Sequence, residues 1–378
     1  MLLIPAILFG CKPETPQIPQ TLLLWHSYEI GSVEETILSA LVQKFMTNHP
    51  GWEIDSENIP YDSIDQKYRR EVESGAGPDL IIRRNDILGD MVRSGVISDL
   101  TEETREKLAS FTQNAIDGMT VDGKIYGFPF SSQTDVLYYN RDLVNDPPRN
   151  TDEILALIQN DLGMTMHLSA YHLYGWPGAF GGKLMDETGL CIADQGGWIE
   201  AANFLLAMKD SGVVFSGDFA ETEAPFRLGQ NAFMINGPWA LKMYRDDLGD
   251  SLGAISLPAG LVASTPLLEM EGVYINPNTK NKKAASELGL FLIEKESQTL
   301  FMEYADHIPV RTDVKVYDPI IQTFVTADNN ATVRPQMKEF SNYWTFFNKM
   351  WEDILVNDID PATAITEACA DMNLENNK

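Results

Sequence analysis

The sequence predicts two α/β domains, and three features support this fold class. The chain has 378 residues, 44% of them hydrophobic, which is too long for one ordinary core. Over residues 21–82, apolar and helical segments alternate as in β-α-β units with a parallel sheet. Farther along, the apolar run Asn231–Asn236 is broken by Gly237 and Pro238 and meets a helical pattern over Trp239–Asp246.

The first domain is predicted to open with a strand, helix, strand, helix and strand in that order. Pro50 ends the first helix, and the glycine-rich turn at residues 75–78 precedes the third strand. The predicted elements are Thr21–Trp25, Val33–His49, Trp52–Ile59, Ser63–Ser74 and Leu80–Ile82.

Predicted strands and helices also alternate along the rest of the chain. We therefore expect each domain to be a mostly parallel sheet with helices on both faces. Further strands are predicted at Lys124–Phe130, Val136–Asn140, Gly253–Leu257 and Gly272–Asn276. Helical segments are predicted at Thr151–Gln159, Gly196–Ser211, Ala284–Glu294, Ser297–Tyr304, Val333–Val356 and Pro361–Met372.

Composition excludes several classes of function. The 55 acidic and 28 basic residues give a formal charge of −27, which argues against nucleic acid and anionic membrane surfaces as partners. Three cysteines, at positions 11, 191 and 369, are too few and too scattered for a disulfide framework. The five histidines have no metal-ligand spacing, and no nucleophile-elbow, zincin, P-loop or dinucleotide-binding motif is present. We therefore expect no metal, no cofactor and no catalysis.

The N-terminus predicts an exported, lipid-anchored protein. Residues 1–10 are apolar and end at Cys11, which resembles the signal of a bacterial lipoprotein, with Cys11 as the lipidated residue. The Pro-rich segment 12–20 would then hold the domain away from a surface. The alternative is a cytosolic chain with an apolar tail.

The junction between residues 231–236 and the helix that follows is a candidate ligand site. Open α/β sheets bind ligands where the carboxyl ends of strands meet helix starts, and free helix N–H groups there can donate to oxygen-rich ligands. Trp239 at this junction offers a flat apolar face for the C–H groups of a sugar. A plain core position is the alternative for Trp239.

Several motifs, in order, carry a resemblance to the maltose/maltodextrin-binding protein family, the extracellular sugar-binding components of ABC importers. They cover the chain from about Leu22 to the last helix. They are G-A-G-P-D-L-I-I at Gly75–Ile82, N-D-I-L-G at Asn85–Gly89, D-G-K-I-Y-G-F-P-F at Asp122–Phe130, L-Y-Y-N-R-D-L at Leu137–Leu143, and N-G-P-W-A after an A-F-M-I strand.

The resemblance implies a periplasmic-binding-protein-like fold, in which two α/β lobes are joined by a discontinuous hinge around a central ligand cleft. The hinge would lie near Ser131–Asp135 and Glu269–Gly272. Residues 1–21 would be signal and tether, and the lobes would comprise residues 22–131 with 271–313 and residues 132–270 with 314–378.

Site residues follow from the resemblance position by position. Asp86 falls on a sugar-binding aspartate, Trp239 on a stacking tryptophan and Glu29 on an acidic contact of the first loop. Gln133 replaces a glutamate near the hinge. Arg83 replaces a stacking tryptophan and, with its neighbour Arg84, leaves room for an acidic group on the ligand. A surface salt bridge is the alternative for Arg83.

The opposite lobe would supply aromatic side chains to the same cleft. Tyr174 and Trp176 lie in a segment that packs aromatics between glycines. The closing helix lacks the expected aromatic pair in register near Ser341, and Tyr343 and Trp344 come two residues later. For Tyr174 and Trp176, a core position is an equal alternative.

The implied function is an extracytoplasmic lipoprotein that captures a maltose-like di- or oligosaccharide and delivers it to the permease subunits of an ABC transporter. The protein would act as a monomer in the periplasm or at the cell surface, anchored by its N-terminal lipid. The alternatives are a sugar sensor without transport and, less favoured, a glycoside-active enzyme, which would need two carboxylates across the scissile bond.

Overall fold

The computed structural model describes residues 20–378. Cys11, predicted to be lipidated, and most of the Pro-rich tether lie outside the described residues. Among the helices of the described part, none is both long enough and apolar enough to cross a membrane.

Fourteen strands are present within residues 20–378. They are β1 Gln20–His26, β2 Trp52–Asn58, β3 Leu80–Arg84, β4 Thr120–Val121, β5 Lys124–Ile125, β6 Phe128–Gln133, β7 Val136–Asn140, β8 Met164–His167, β9 Val214–Ser216, β10 Phe233–Asn236, β11 Leu252–Ile255, β12 Leu267–Ile275, β13 Ile308–Pro309 and β14 Thr332–Val333.

The α-helices of the same residues lie between and after these strands. They are α1 Val33–Asn48, α2 Tyr61–Glu73, α3 Leu88–Arg93, α4 Thr101–Thr104, α5 Gln113–Gly118, α6 Thr151–Gln159, α7 Gly175–Ala179, α8 Trp198–Asp210, α9 Phe219–Arg227, α10 Leu241–Leu248, α11 Lys282–Leu292, α12 Lys295–Ala305, α13 Pro319–Asp328, α14 Tyr343–Leu355 and α15 Pro361–Glu375.

Two large sheets define two lobes. The first sheet has the order β13-β6-β12-β3-β1-β2, with β14 paired to β12, and the second has the order β11-β7-β10-β8-β9. The predicted two-lobe α/β fold is confirmed, but the sheets are mixed rather than mostly parallel. In the first sheet β12 runs antiparallel to both β3 and β6, and in the second β7 runs antiparallel to β10 and β11.

Each lobe has its own apolar core, and a third cluster joins them. The first core surrounds β1, β3 and α1, and the second packs α8, α14 and α15 against the second sheet. The third cluster combines Val136 and Tyr138 of the second sheet with Met302 and Ile308 of the first lobe. The lobes therefore share packed apolar contacts beside the strands that cross between them.

The predicted helical segment Val333–Val356 begins later than expected. Residues 338–342 form a short 3-10 turn before α14. The preceding residues are held extended by the first lobe: the Gly89 N–H donates to Gln336 Oε1 at 3.0 Å, and Arg93 donates to the Gln336 carbonyl at 2.8 Å. Tertiary hydrogen bonds thus override the local helical pattern here.

Cys191 and Cys369 form a disulfide, which corrects the expectation from cysteine spacing. The two residues are 178 positions apart, with Cα atoms separated by 5.4 Å. The bond ties α15 to the loop before α8, inside the second lobe. No local motif marks such a pair, because only the packing of α15 brings the two cysteines together.

Candidate ligand-binding cleft

A cavity of about 540 Å³ lies between the lobes where the sheets face each other. From the first lobe it is lined by Tyr28, Tyr61, Arg83, Arg84, Asp86, Gln133, Glu269 and Glu271. From the second lobe it is lined by Ser169, Tyr171, His172, Phe219 and Trp239. One wall is therefore rich in charged groups, and the other is mostly aromatic.

Arg83, at the end of β3, is part of a closed ion pair. Its Nε and Nη2 donate to the two carboxylate oxygens of Asp65, each at 2.7 Å, and its guanidinium stacks on the Tyr61 ring, with 3.9 Å to the ring centroid. Burial alone would lower the pKa of Arg83, but the hydrogen bonds that Arg83 donates to Asp65 and the charge of Asp86 raise it above its ordinary value. This bidentate geometry fixes the guanidinium and neutralises its charge.

A second charged cluster lies beside it. Arg84 Nη1 is 3.6 Å from Glu269 and donates to Gln133 Oε1 at 3.2 Å, while Arg334 donates to the other oxygen of Glu269. Arg334 also donates to the Asp86 carbonyl at 3.2 Å. Glu269 thus holds two arginines from different parts of the chain at the cleft wall.

Asp86 lies in the 3-10 turn after β3 and keeps unused hydrogen-bonding capacity. Its Oδ2 is 3.9 Å from Arg83, and its buried Oδ1 has no partner among residues 20–378. Burial and then the neighbouring Glu269 raise the pKa of Asp86, against the opposing effect of the arginines. A ligand hydroxyl donating to this carboxylate would satisfy it and favour its charged form.

Trp239 is the largest side chain on the opposite wall, and its position depends on Gly237, two residues before it. The indole lies on the backbone of Gly237, where an added Cβ would come within 2.1 Å of a ring carbon. Gly237 has φ −90° and ψ −176°, a conformation open to any residue, so the glycine is needed for space rather than for its backbone freedom. Trp239 stays 44% exposed at the cleft.

Asn236 and Tyr138 hold this junction in place. The Asn236 side chain accepts from the Gly237 N–H at 2.9 Å and donates to the Tyr244 hydroxyl at 2.8 Å. The Tyr138 hydroxyl donates to the Gly237 carbonyl at 3.0 Å. The polar groups where β10 ends are therefore satisfied, which leaves the indole as the part that faces the cleft.

The aromatic wall is anchored to a strand crossing by a buried pair. His172 Nδ1 lies 2.9 Å from Asp135 Oδ2, and both side chains are buried. Asp135 lies between β6 and β7, where the chain passes from one sheet to the other. Tyr171 and His172 place their rings 5.9 Å and 6.1 Å from the Trp239 ring.

Four of the predicted site residues line this cavity: Arg83, Asp86, Gln133 and Trp239. Glu29 does not, since its side chain is exposed and outside the lining. The loop turns Tyr28 inward instead, because its hydroxyl donates to Glu271 at 2.9 Å and its carbonyl accepts from Asn58.

The expected cleft positions of Tyr174, Trp176 and Tyr343 are corrected. Trp176 and Tyr343 are fully buried in the core of the second lobe. Trp176 packs on Phe204 with ring centroids 5.0 Å apart, and the Tyr343 hydroxyl donates to the Ala170 carbonyl at 2.8 Å. Tyr174 lines a separate cavity of about 310 Å³. Gly175 and Gly178 leave no room for a Cβ, so α7 packs closely against Leu257, Thr265 and Pro266.

Sequence reasoning missed several cleft residues, including Tyr61, Phe219, Glu269 and Glu271. The two glutamates had a signal: they alternate on one face of a strand that is otherwise apolar and buried. Buried carboxylates need partners, so this spacing indicates either a charge network or a ligand. Tyr61 and Phe219 open helices and had no such signal.

Comparison with known proteins defines the class. A family model for bacterial extracellular solute-binding proteins matches residues 40–331, and the chain belongs to this family. A solved cyclo/maltodextrin-binding protein in complex with maltotetraose has the same fold, with a TM-score of 0.86 at 20% identity, covering 96% of this chain and 98% of that one.

Two curated relatives are similar at the sequence level. The maltotriose-binding protein of Pyrococcus abyssi is 24% identical over 366 residues, covering 92% of this chain and 79% of the relative. A maltooligosaccharide ABC transporter solute-binding lipoprotein of Streptococcus pneumoniae is 24% identical over 328 residues, covering 78% and 76%. The predicted family is confirmed.

Proposed function

We propose that the cleft binds a neutral, maltose-like di- or oligosaccharide and that the protein delivers it to the permease of an ABC transporter. The ligand would touch both walls and so favour the closed arrangement of the lobes by its differential affinity. The lobes that move would be residues 22–131 with 271–313 and residues 132–270 with 314–378, except that Gln133, Glu269 and Arg334, which lie on or directly after strands of the first sheet, would move with the first lobe. Family membership and the chemistry of the cleft support this function.

The observation that carries the proposal is a set of unpartnered polar atoms in the same cleft as an exposed indole. Arg84 Nε, Asp86 Oδ1 and the Tyr171 hydroxyl are buried without a hydrogen-bond partner among the described residues, and all three side chains line the cleft. A buried polar group left unpaired costs about 1–3 kcal/mol. A sugar offers hydroxyl groups for such atoms and C–H faces for Trp239, so it matches both walls.

The charges of the cleft favour a neutral ligand over an acidic one. Three guanidinium groups, from Arg83, Arg84 and Arg334, are engaged by the carboxylates of Asp65 and Glu269. Asp86 and Glu271 add two further carboxyl groups to the same wall. An anionic sugar would be repelled by Asp86 and Glu271 and would have to compete with Asp65 and Glu269 for the three guanidinium groups, so we propose that these ion pairs take up the room that Arg83 and Arg84 were expected to leave for an acidic group.

Delivery, anchoring and the monomeric state belong to the same proposal. The similarity to a maltooligosaccharide ABC transporter lipoprotein supports a role beside a permease. Lipidation at Cys11 would hold the protein in the periplasm or at the cell surface, and one cleft in one chain is sufficient for capture. Binding without covalent chemistry, rather than glycoside cleavage, is the activity we propose.

Thermal unfolding of residues 21–378 with a sugar panel tests the proposal. The panel comprises maltose, maltotriose, trehalose, sucrose, cellobiose, xylobiose and galacturonate oligomers. A ligand at about 100 times its Kd stabilises the folded protein by roughly 2.7 kcal/mol, which raises Tm measurably. We expect a shift with one class of neutral sugar. A folded protein that shifts with none of them would contradict sugar binding.

A further inference from the structure

His172, on the second-lobe wall of the cleft, is held through one of its two ring nitrogens. Its Nδ1 lies 2.9 Å from Asp135 Oδ2, and both side chains are buried. Its Nε2 makes no hydrogen bond to any group of residues 20–378, and the residue lines the 540 Å³ cavity. Because the two nitrogens of an imidazole lie on different edges of the ring, the contact with Asp135 leaves the Nε2 edge to the cavity.

Asp135 determines which ring nitrogen of His172 carries the proton. An ionised carboxylate only accepts hydrogen bonds, so the proton must be on Nδ1 for the contact to form. A neutral imidazole carries a single N–H, and Nε2 is then an acceptor. The other oxygen of Asp135 is buried without a partner among residues 20–378, so no second donor in this part of the chain competes with His172.

The His172 ring is also fixed by packing against other rings. The ring centroids of Tyr171, Phe219 and Trp239 lie 5.2 Å, 5.8 Å and 6.1 Å from it, and that of His167 lies 4.5 Å away. The imidazole cannot turn without displacing these neighbours, so the direction of Nε2 is set before a ligand arrives.

The groups around His172 favour its neutral form. Asp135 is the one carboxylate in hydrogen-bond contact with it among the described residues. His167, the next ring, lies 3.7 Å from Glu223, and burial lowers the pKa of His167. A positive charge on His172 would be enclosed by aromatic rings, where desolvation opposes it. The neutral form with Nε2 as an acceptor is therefore the one that a ligand meets at mildly basic pH.

An acceptor in this position complements the acceptor of the other wall. Asp86 belongs to the first lobe and His172 to the second, and both line the same cavity. A hydroxyl group can donate to Nε2, whereas an ether oxygen, a fluorine atom or a carboxylate oxygen cannot. Nε2 thus distinguishes a hydroxyl group from other substituents of similar size.

We propose that His172 is a specificity-determining residue of the cleft, whose Nε2 accepts a hydrogen bond from one hydroxyl group of the ligand. Asp135 is the positioning residue that keeps the proton on Nδ1. This inference rests on the proposed function and adds to it the requirement for a donor at one position of the sugar. A ligand without that donor leaves Nε2 unpaired in the closed cleft, which weakens binding.

Titration calorimetry at pH 8 tests the inference with the tightest-binding sugar of the thermal panel and its monodeoxyfluoro analogues. Each analogue replaces one hydroxyl group by fluorine. We expect one analogue to bind the wild type about three- to tenfold more weakly than the parent sugar. The double variant Asp135→Leu/His172→Phe should bind that analogue and the parent equally well. It removes both partners, so no buried charge is left unpaired.

His49→Phe is the matched control, because His49 follows α1 in the first lobe and lines neither the cleft nor its rim. This variant should discriminate among the analogues as the wild type does. Equal discrimination by the wild type and the double variant at every position would overturn the role of His172 and leave the proposed function standing. Absence of binding by every sugar would overturn both.

Nitrogen-15 NMR of the imidazole groups tests the tautomer in the wild type, without any substitution. We expect the proton of His172 on Nδ1 at pH 8, and a change in the Nε2 resonance when the sugar is added. A proton on Nε2 in the protein without sugar would overturn the inference, because that nitrogen could then only donate.

Discussion

The two walls of the cleft are built on different principles. The first-lobe wall is a network of paired charges, in which Arg83, Arg84 and Arg334 are held by Asp65 and Glu269. The second-lobe wall consists mainly of rings, with Trp239 seated on Gly237 and near Tyr171. The polar wall is held in place by its own ion pairs. The position of the indole on the aromatic wall depends instead on Gly237, because any side chain at that position would occupy the space of the ring.

This difference matches the two kinds of surface on a sugar. Ring hydroxyls need acceptors and donors whose geometry is set in advance, and ion pairs provide that rigidity. The C–H faces need only a flat apolar surface at the right distance, and the Trp239 indole is such a surface. Gly237 sets its distance from the backbone, because the absence of a side chain lets the indole lie close to it. If the two walls differ in this way, substitutions in the aromatic wall and in the polar wall should lower the affinity for the sugar by different amounts.

Removal of the aromatic face should have the largest effect. We expect Trp239→Ala to weaken sugar binding by about tenfold or more, because the stacking face for the sugar is lost. The fold should persist since Trp239 is partly exposed. Titration calorimetry measures the loss, and Leu228→Ala, at a 70% exposed site outside the cleft, serves as control. Unchanged affinity would remove Trp239 from the site.

Removal of one charge from the polar wall should cost about tenfold in affinity. In Asp86→Asn the shape is kept, but a charged acceptor, which contributes roughly 1.5–3 kcal/mol per hydrogen bond, is lost. Asp90→Asn is the matched control, because Asp90 pairs with Arg93 on the exposed face of α3. An equal change in both variants would mean that Asp86 acts through general charge rather than by contact with the ligand.

Displacement of the indole without its removal should have a smaller effect. Gly237→Ala adds a methyl group where the ring now lies, so the indole must shift, and we expect affinity to fall about threefold. Gly51→Ala is the control, since an added Cβ there meets nothing within 4 Å. Wild-type affinity in Gly237→Ala would show that the height of the ring above the backbone is unimportant.

Substitution of Asp328, which contacts Ser132 of the first sheet, should alter the stability of the folded protein and leave both walls of the cleft intact. Asp328 ends α13, and its carboxylate accepts from Ser132 on β6 while its buried Oδ1 has no partner among residues 20–378. Burial raises the pKa of Asp328 from 3.8 to about 7. Asp328 therefore contributes its full stabilisation of the folded state below about pH 4. This contribution is lost as pH rises towards 7, because the carboxyl group ionises at a lower pH in the unfolded chain than in the folded protein.

Asp328→Asn should abolish that dependence. We expect the Tm of the wild type to fall relative to the variant between pH 4 and pH 8, with sugar affinity at pH 7 unchanged. Thermal unfolding across this range is the measurement. Parallel Tm curves for the two proteins would show that Asp328 ionises in the folded state as it does in the unfolded chain.

The sequence predicted the elements that bear local signals. N-G-P-W marks the end of β10 and the turn before α10, and the strand–helix alternation marks the first lobe. It could not identify which aromatics face the cleft, because Trp176 and Trp239 both lie beside glycines, and only packing distinguishes them. The partner of Arg83 was also unpredictable, since Asp65 is brought to it by the packing of α2 against β3.

The most direct test of the account compares one sugar in neutral and acidic form. An oligosaccharide that binds in the thermal panel should be titrated beside the same oligosaccharide oxidised to a uronic acid at one primary hydroxyl. Because the arginines of the polar wall are already paired, we expect the neutral form to bind at least about tenfold more tightly. Tighter binding of the uronic acid would contradict the claim that this wall holds its charges in closed pairs.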